Sequence, residues 1–87
     1  EEAQGGVVAY DRARERVRLL ADAAKSSEHA LELAQQRFEA GLTDFLQVLD
    51  AQRTSLDAES QLASAQTAAS TALVSLYRAT GGAWTPR

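Results

Sequence analysis

From Val7 onward, large or apolar residues recur every seven positions at Tyr10, Val17, Ala24, Leu31 and Phe38, and a second line three residues on reads Ala13, Leu20, Ser27 and Ala34. Spacings of three and four place both lines on one face of a helix, in the manner of a coiled-coil seam. A second periodic stretch carries Val48, Ser55, Leu62, Ala69 and Leu76, again accompanied three residues on by a line, this time made only of alanine: Ala51, Ala58, Ala65, Ala72 and Ala79. A methyl-only line lets two backbones approach more closely than a leucine seam would. Beside it runs a third line, Leu49, Leu56, Ala63, Ser70 and Tyr77. The apolar stripe is then wider than a two-helix coiled coil needs, which points to more than one helical neighbour.

The breakers agree with this division. Gly occurs only at 5, 6, 41, 81 and 82 and the single Pro is at 86, which leaves two long stretches free of them. The pattern predicts a helix over about 7–39, a tight turn over 40–43, a helix over about 44–79 and an irregular tail over 80–87. Each helix is roughly 50 Å long at about 1.5 Å per residue. At the turn, Gly41 suits a left-handed helix terminus, Thr43 is expected to cap the next helix, and Asp44 to sit in its first turn against the positive end of the dipole. So short a connection makes the helices antiparallel neighbours. The fold class is all-α, a long antiparallel two-helix hairpin, coiled-coil-like, whose wide stripe is expected to drive self-association, most simply of two hairpins into a four-helix bundle. Residues 1–6 and the tail are expected to be poorly ordered unless packed.

Composition narrows the chemistry. The 87 residues support one small domain at most, and little burial is available to so short a chain. The formal net charge of −3, with acids and bases interspersed, gives no basic stripe for a phosphate backbone, so nucleic acid is not an expected partner. No Cys is present, which excludes a disulfide and a thiolate metal site while leaving the compartment open. Neither a run of about 18 apolar residues nor a basic start followed by an apolar stretch occurs, so no spanning helix or signal peptide is read in these residues.

No catalytic, cofactor or metal site is expected. His29 is the only histidine; it falls on the outward face of the first helix with Glu28 and Glu32 nearby, and a solvated surface residue is the simplest reading. A small helical enzyme or ligand binder would have to be built on it. Asp50, Gln52 and Arg53 point away from the main seam, and solvation again accounts for each of them alone.

Two segments carry a resemblance. The run Gln36-Arg37-Phe38-Glu39-Ala40-Gly41-Leu42-Thr43-Asp44-Phe45-Leu46-Gln47-Val48-Leu49-Asp50-Ala51-Gln52-Arg53, and further on Ala72-Leu73-Val74-Ser75-Leu76-Tyr77-Arg78-Ala79-Thr80-Gly81-Gly82-Ala83-Trp84, resemble the C-terminal periplasmic hairpin of TolC-like outer-membrane efflux proteins. Together they cover the turn and most of the second helix; the first helix matches in character only. The resemblance implies a fragment of a homotrimeric channel with a β-barrel in the bacterial outer membrane and an α-helical barrel in the periplasm. Such a channel works with a periplasmic adaptor protein and an inner-membrane pump to export small molecules.

Several positions acquire expected roles from that resemblance. Gly41, Leu42 and Thr43 form the tip that docks the adaptor. Phe38 stands where the family often has a Tyr whose hydroxyl helps hold the entrance closed, a link that a Phe lacks. Asp50 matches the second of two lumen-facing acidic positions at the periplasmic entrance, and Gln47 occupies the first, so a three-fold ring would carry three carboxylates rather than six. Gly81, Gly82 and Trp84 would anchor the returning helix. The alternative is a coiled-coil hairpin that serves as a spacer or docking arm in an unrelated assembly.

Overall fold

In the computed structural model, residues 2–79 are described; they form two helices, α1 (Glu2–Glu39) and α2 (Phe45–Ala79), packed side by side as an antiparallel hairpin. The body measures 63 × 24 × 13 Å, one helix thick over its whole length. Among the described residues there is no strand, and no helix is long and apolar enough to cross a membrane.

The seam follows the heptad lines residue by residue. In α1, Tyr10, Ala13, Val17, Leu20, Ala24, Ser27, Leu31 and Ala34 are half-buried; in α2, Val48, Ser55 and Ala65 are buried and the remaining seam positions half-buried. Every other helical residue from Val7 onward is exposed. Small side chains at the contact bring the backbones close, and so Val48 and Ala65, each only 3% exposed, make up the apolar core of the described residues. The third line is left uncovered: Leu49 and Leu56 are exposed although they border the seam.

Two features depart from the sequence pattern. The first helix begins at Glu2 rather than near Val7, so the stretch expected to be loose is helical as far as it is described, with Gly5 and Gly6 inside it. Packing explains the second glycine, because a Cβ built on Gly6 would stand 3.2 Å from Leu76 Cδ1. The close approach to α2 offsets the roughly 1 kcal/mol that a helical Gly costs relative to Ala. Phe38, placed on the seam by its heptad spacing, is instead exposed and turns toward Phe45, their ring centroids 5.3 Å apart and tilted by 57°. Near the turn the helices must part to let the chain reverse, and the last seam position of α1 has no facing hole to fill. The expectations for Gly81, Gly82, Trp84 and the tail lie outside the described residues.

Candidate functional site at the hairpin tip

The tip is built from local hydrogen-bond chemistry. Gly41 has φ +77°, the left-handed conformation; its N–H donates to Phe38 O (3.0 Å) and the Leu42 N–H donates to Arg37 O (2.8 Å). These are the two bonds of a Schellman motif, which satisfies carbonyls that the end of α1 would otherwise leave open. A hydrophobic contact between Leu42 and the residue five before it usually accompanies the motif. That residue is Arg37, and Leu42 remains 70% exposed.

The start of α2 differs from expectation by one residue. Asp44, not Thr43, is the capping residue: Asp44 Oδ1 accepts the Gln47 N–H at 3.4 Å, and the Asp44 backbone carbonyl accepts the same N–H at 3.2 Å. A carboxylate here meets an unpaired backbone donor and the positive end of the helix dipole together, a stronger combination than the Thr hydroxyl offers one position earlier. Thr43 is half-buried and, with Ala30, Leu33, Ala34, Arg37 and Gln47, lines a shallow groove on one side of the hairpin. Asp44-x-x-Gln47 is a legible capping signal, and Phe45, four residues after the glycine as Phe38 is three before it, is a partner that the heptad spacing does not reveal.

Of the candidate entrance residues, Gln47 and Asp50 are both exposed on α2, three positions apart and therefore on one face, while Phe38 belongs to the aromatic pair across the turn. The same polar face continues along α2 through Thr54 and Asp57 to Gln61, where Gln61 Nε2 donates to Asp57 Oδ2 at 3.0 Å. The opposite flank of α2 presents Leu49, Leu56 and Leu73 instead. Leu42, Phe45 and Leu46 add exposed apolar side chains at the tip itself.

The outer face of α1 is charged. Arg18 holds both carboxylate oxygens of Glu15, and this pairing keeps the Glu15 carboxyl below its ordinary value and lifts the guanidinium above its own. Arg14 lies over the Tyr10 ring, 5.8 Å from its centroid. His29 Nδ1 stands 4.0 Å from Glu32 Oε1 in full solvent, and among the described residues no three metal-ligating side chains converge.

A rigid, apolar tip, one polar flank and one leucine-bearing flank suit a hairpin set into a wall of helices. The family model for outer membrane efflux proteins matches residues 4–82. The chain belongs to the outer membrane efflux protein family. This efflux-family hairpin is 40% identical over 83 residues, 95% of its length, to outer membrane protein OprJ of Pseudomonas aeruginosa. It is 42% identical over 60 residues, 69% of its length, to the pyoverdine export outer membrane protein OpmQ of Pseudomonas putida. The chain spans 17% of the first relative's length and 13% of the second's. No solved structure gives a significant match.

Proposed function

We propose that the hairpin is a periplasmic wall segment of a trimeric outer-membrane efflux duct, with its tip at the periplasmic entrance. There it docks the hairpin of an adaptor protein that links the duct to an inner-membrane pump exporting small molecules. The observation that carries this reading is the tip: Gly41 fixes a sharp reversal, and the reversal leaves Leu42 projecting at 70% exposure in a family of efflux channels. An exposed leucine on a backbone already held by two hydrogen bonds loses little entropy on docking. Gly41 and Thr43 flank it as the rest of the docking surface.

Asp50 contributes to the entrance, with Gln47 one turn nearer the tip and Phe38 in the aromatic pair that supports the turn. In a three-fold assembly three Asp50 carboxylates would face one narrow lumen, where their charges attract cations. Gln47 adds amide groups without charge. Replacing Asp50 by Asn in the full-length channel is expected to reduce cation selectivity and cation block; unchanged values would remove Asp50 from the entrance.

The docking role is tested by a cysteine at Leu42 in the full-length parent, crosslinked in cells that contain the adaptor. Adducts to an adaptor hairpin tip are expected. A correctly folded outer-membrane protein that gives none would leave a helical hairpin with a spacer role.

A further inference from the structure

The turn is built as two halves. On the α1 side the Gly41 and Leu42 N–H groups donate to the carbonyls of Phe38 and Arg37; on the α2 side the Gln47 N–H donates to Asp44. Each of these bonds begins and ends within its own half, and among the described residues no hydrogen bond or ion pair joins the two. The halves are linked by the main chain at Thr43, where each residue has two soft torsions about which they can swing. A ring contact bridges them. Phe38, whose carbonyl helps close the α1 half, meets Phe45, the first residue of α2, with 5.3 Å between ring centroids and a tilt of 57°. That separation lies within the roughly 4.5–7 Å that aromatic pairs prefer, and the tilt avoids a face-to-face stack. Both rings are exposed, so the pair adds little to the core. The groove on the other side, lined by Ala34, Arg37, Thr43 and Gln47, has no hydrogen bond across it.

We infer that Phe38 and Phe45 act as a clasp that fixes the α1 half of the turn on the α2 half, and so sets where Leu42 stands relative to Leu46, Gln47 and Asp50. Leu42 belongs to the α1 half, because its N–H is bonded to the Arg37 carbonyl, whereas the other three lie on α2. A partner that grips both halves meets one arrangement while the clasp is closed and a spread of arrangements once it opens.

An aromatic pair is worth a factor of about two to ten in an equilibrium constant. Docking on a preformed surface gains up to that factor, since the arrangement need not be selected at the moment of binding. Both phenylalanines are then positioning residues, acting through Leu42. The clasp itself follows from the turn, and its effect on docking rests on the adaptor role proposed above.

Nitroxide labels on Leu42→Cys and Arg53→Cys in the cysteine-free chain read the position of Leu42 against an exposed point within α2. Double electron–electron resonance is expected to give one narrow distance distribution, and one at least about twofold wider in Phe38→Ala and in Phe45→Ala. Phe45→Leu, which keeps an apolar side chain but loses the ring, repeats the measurement should an alanine variant lose helical circular dichroism. In the full-length parent, adaptor adducts from Leu42→Cys should form about two- to tenfold more slowly in either alanine variant. They should form no more slowly in the double variant than in a single one, and at the parent rate in Phe38→Tyr. Non-additivity separates a clasp from two rings that each touch the partner, whose losses would multiply. An unchanged distance distribution, unchanged adduct rates beside a parent that does form adducts, or losses that multiply would each overturn the inference. A parent that forms no adduct would remove the docking reading, and the distance measurement would still decide the clasp.

Discussion

The tip and the shaft of this hairpin hold their shape by different means. At the tip, geometry is fixed by backbone hydrogen bonds: two close the end of α1 around Gly41, and the Asp44 carboxylate caps α2. Along the shaft, geometry is fixed by side-chain volume between the helices, since one of the two α2 lines facing α1 is all alanine and includes the buried Ala65. Local conformation therefore governs the reversal, and side-chain volume governs the separation of the helices. A substitution should be costly at the tip only where it disturbs backbone geometry, and costly in the shaft mainly where it adds or removes bulk.

The largest expected effect breaks the shaft. Ala65→Leu inserts bulk where only a methyl group fits and is expected to destabilise the hairpin by about 1–3 kcal/mol, read from urea unfolding followed by circular dichroism. An equal cost for the same change at exposed Ala68 would refute the role assigned to separation. Gly41→Ala should follow at about 1–2 kcal/mol, because the added Cβ meets nothing within 4 Å and the whole penalty comes from a positive φ. Asp44→Ala is next, at about 1 kcal/mol, with faster amide exchange confined to the first turn of α2.

Leu42→Ala sharpens the contrast from the other side. Its side chain supports no part of the fold, so stability should stay within about 0.5 kcal/mol while docking is lost. The smallest effect concerns the Glu15–Arg18 pair. Its carboxyl is depressed in the folded chain from an ordinary value of 4.5, so its contribution is present above that pH and fades as the pH falls through the lower folded value. The pair is fully exposed, so acid titration of Glu15→Gln should differ little from the parent.

Much of this was legible in the sequence because heptad spacing records burial directly. From Tyr10 to Ala34 and from Val48 to Ala79, the residues on the two predicted lines are the ones that lose exposure. Spacing does not record where a pattern stops, however. Phe38 satisfied the period but left the seam where the helices part, and Gly5 and Gly6 carried a breaker signal that packing against Leu76 overrides. The cap moved from Thr43 to Asp44 because two good capping residues are adjacent and only the backbone geometry chooses between them. Gln47 borders the shallow groove against α1 and Asp50 is simply exposed, so nothing in an isolated pair of helices marks their face as more than a solvated one. Their role depends on neighbours, as does that of the leucine flank.

The closed tip also orders the way the hairpin can assemble in time. Phe38 and Phe45 meet only seven positions apart, whereas Gly6 and Leu76 bring together residues 70 positions apart. Closing the longer loop first would cost more chain entropy, but once the tip has formed each further turn of the seam brings in only a few residues from each strand of the chain. Folding should run as a zipper from Gly41 toward the open end, and breathing should run the reverse way, with amide protection lowest beside Gly6 and Leu76 and rising toward the tip.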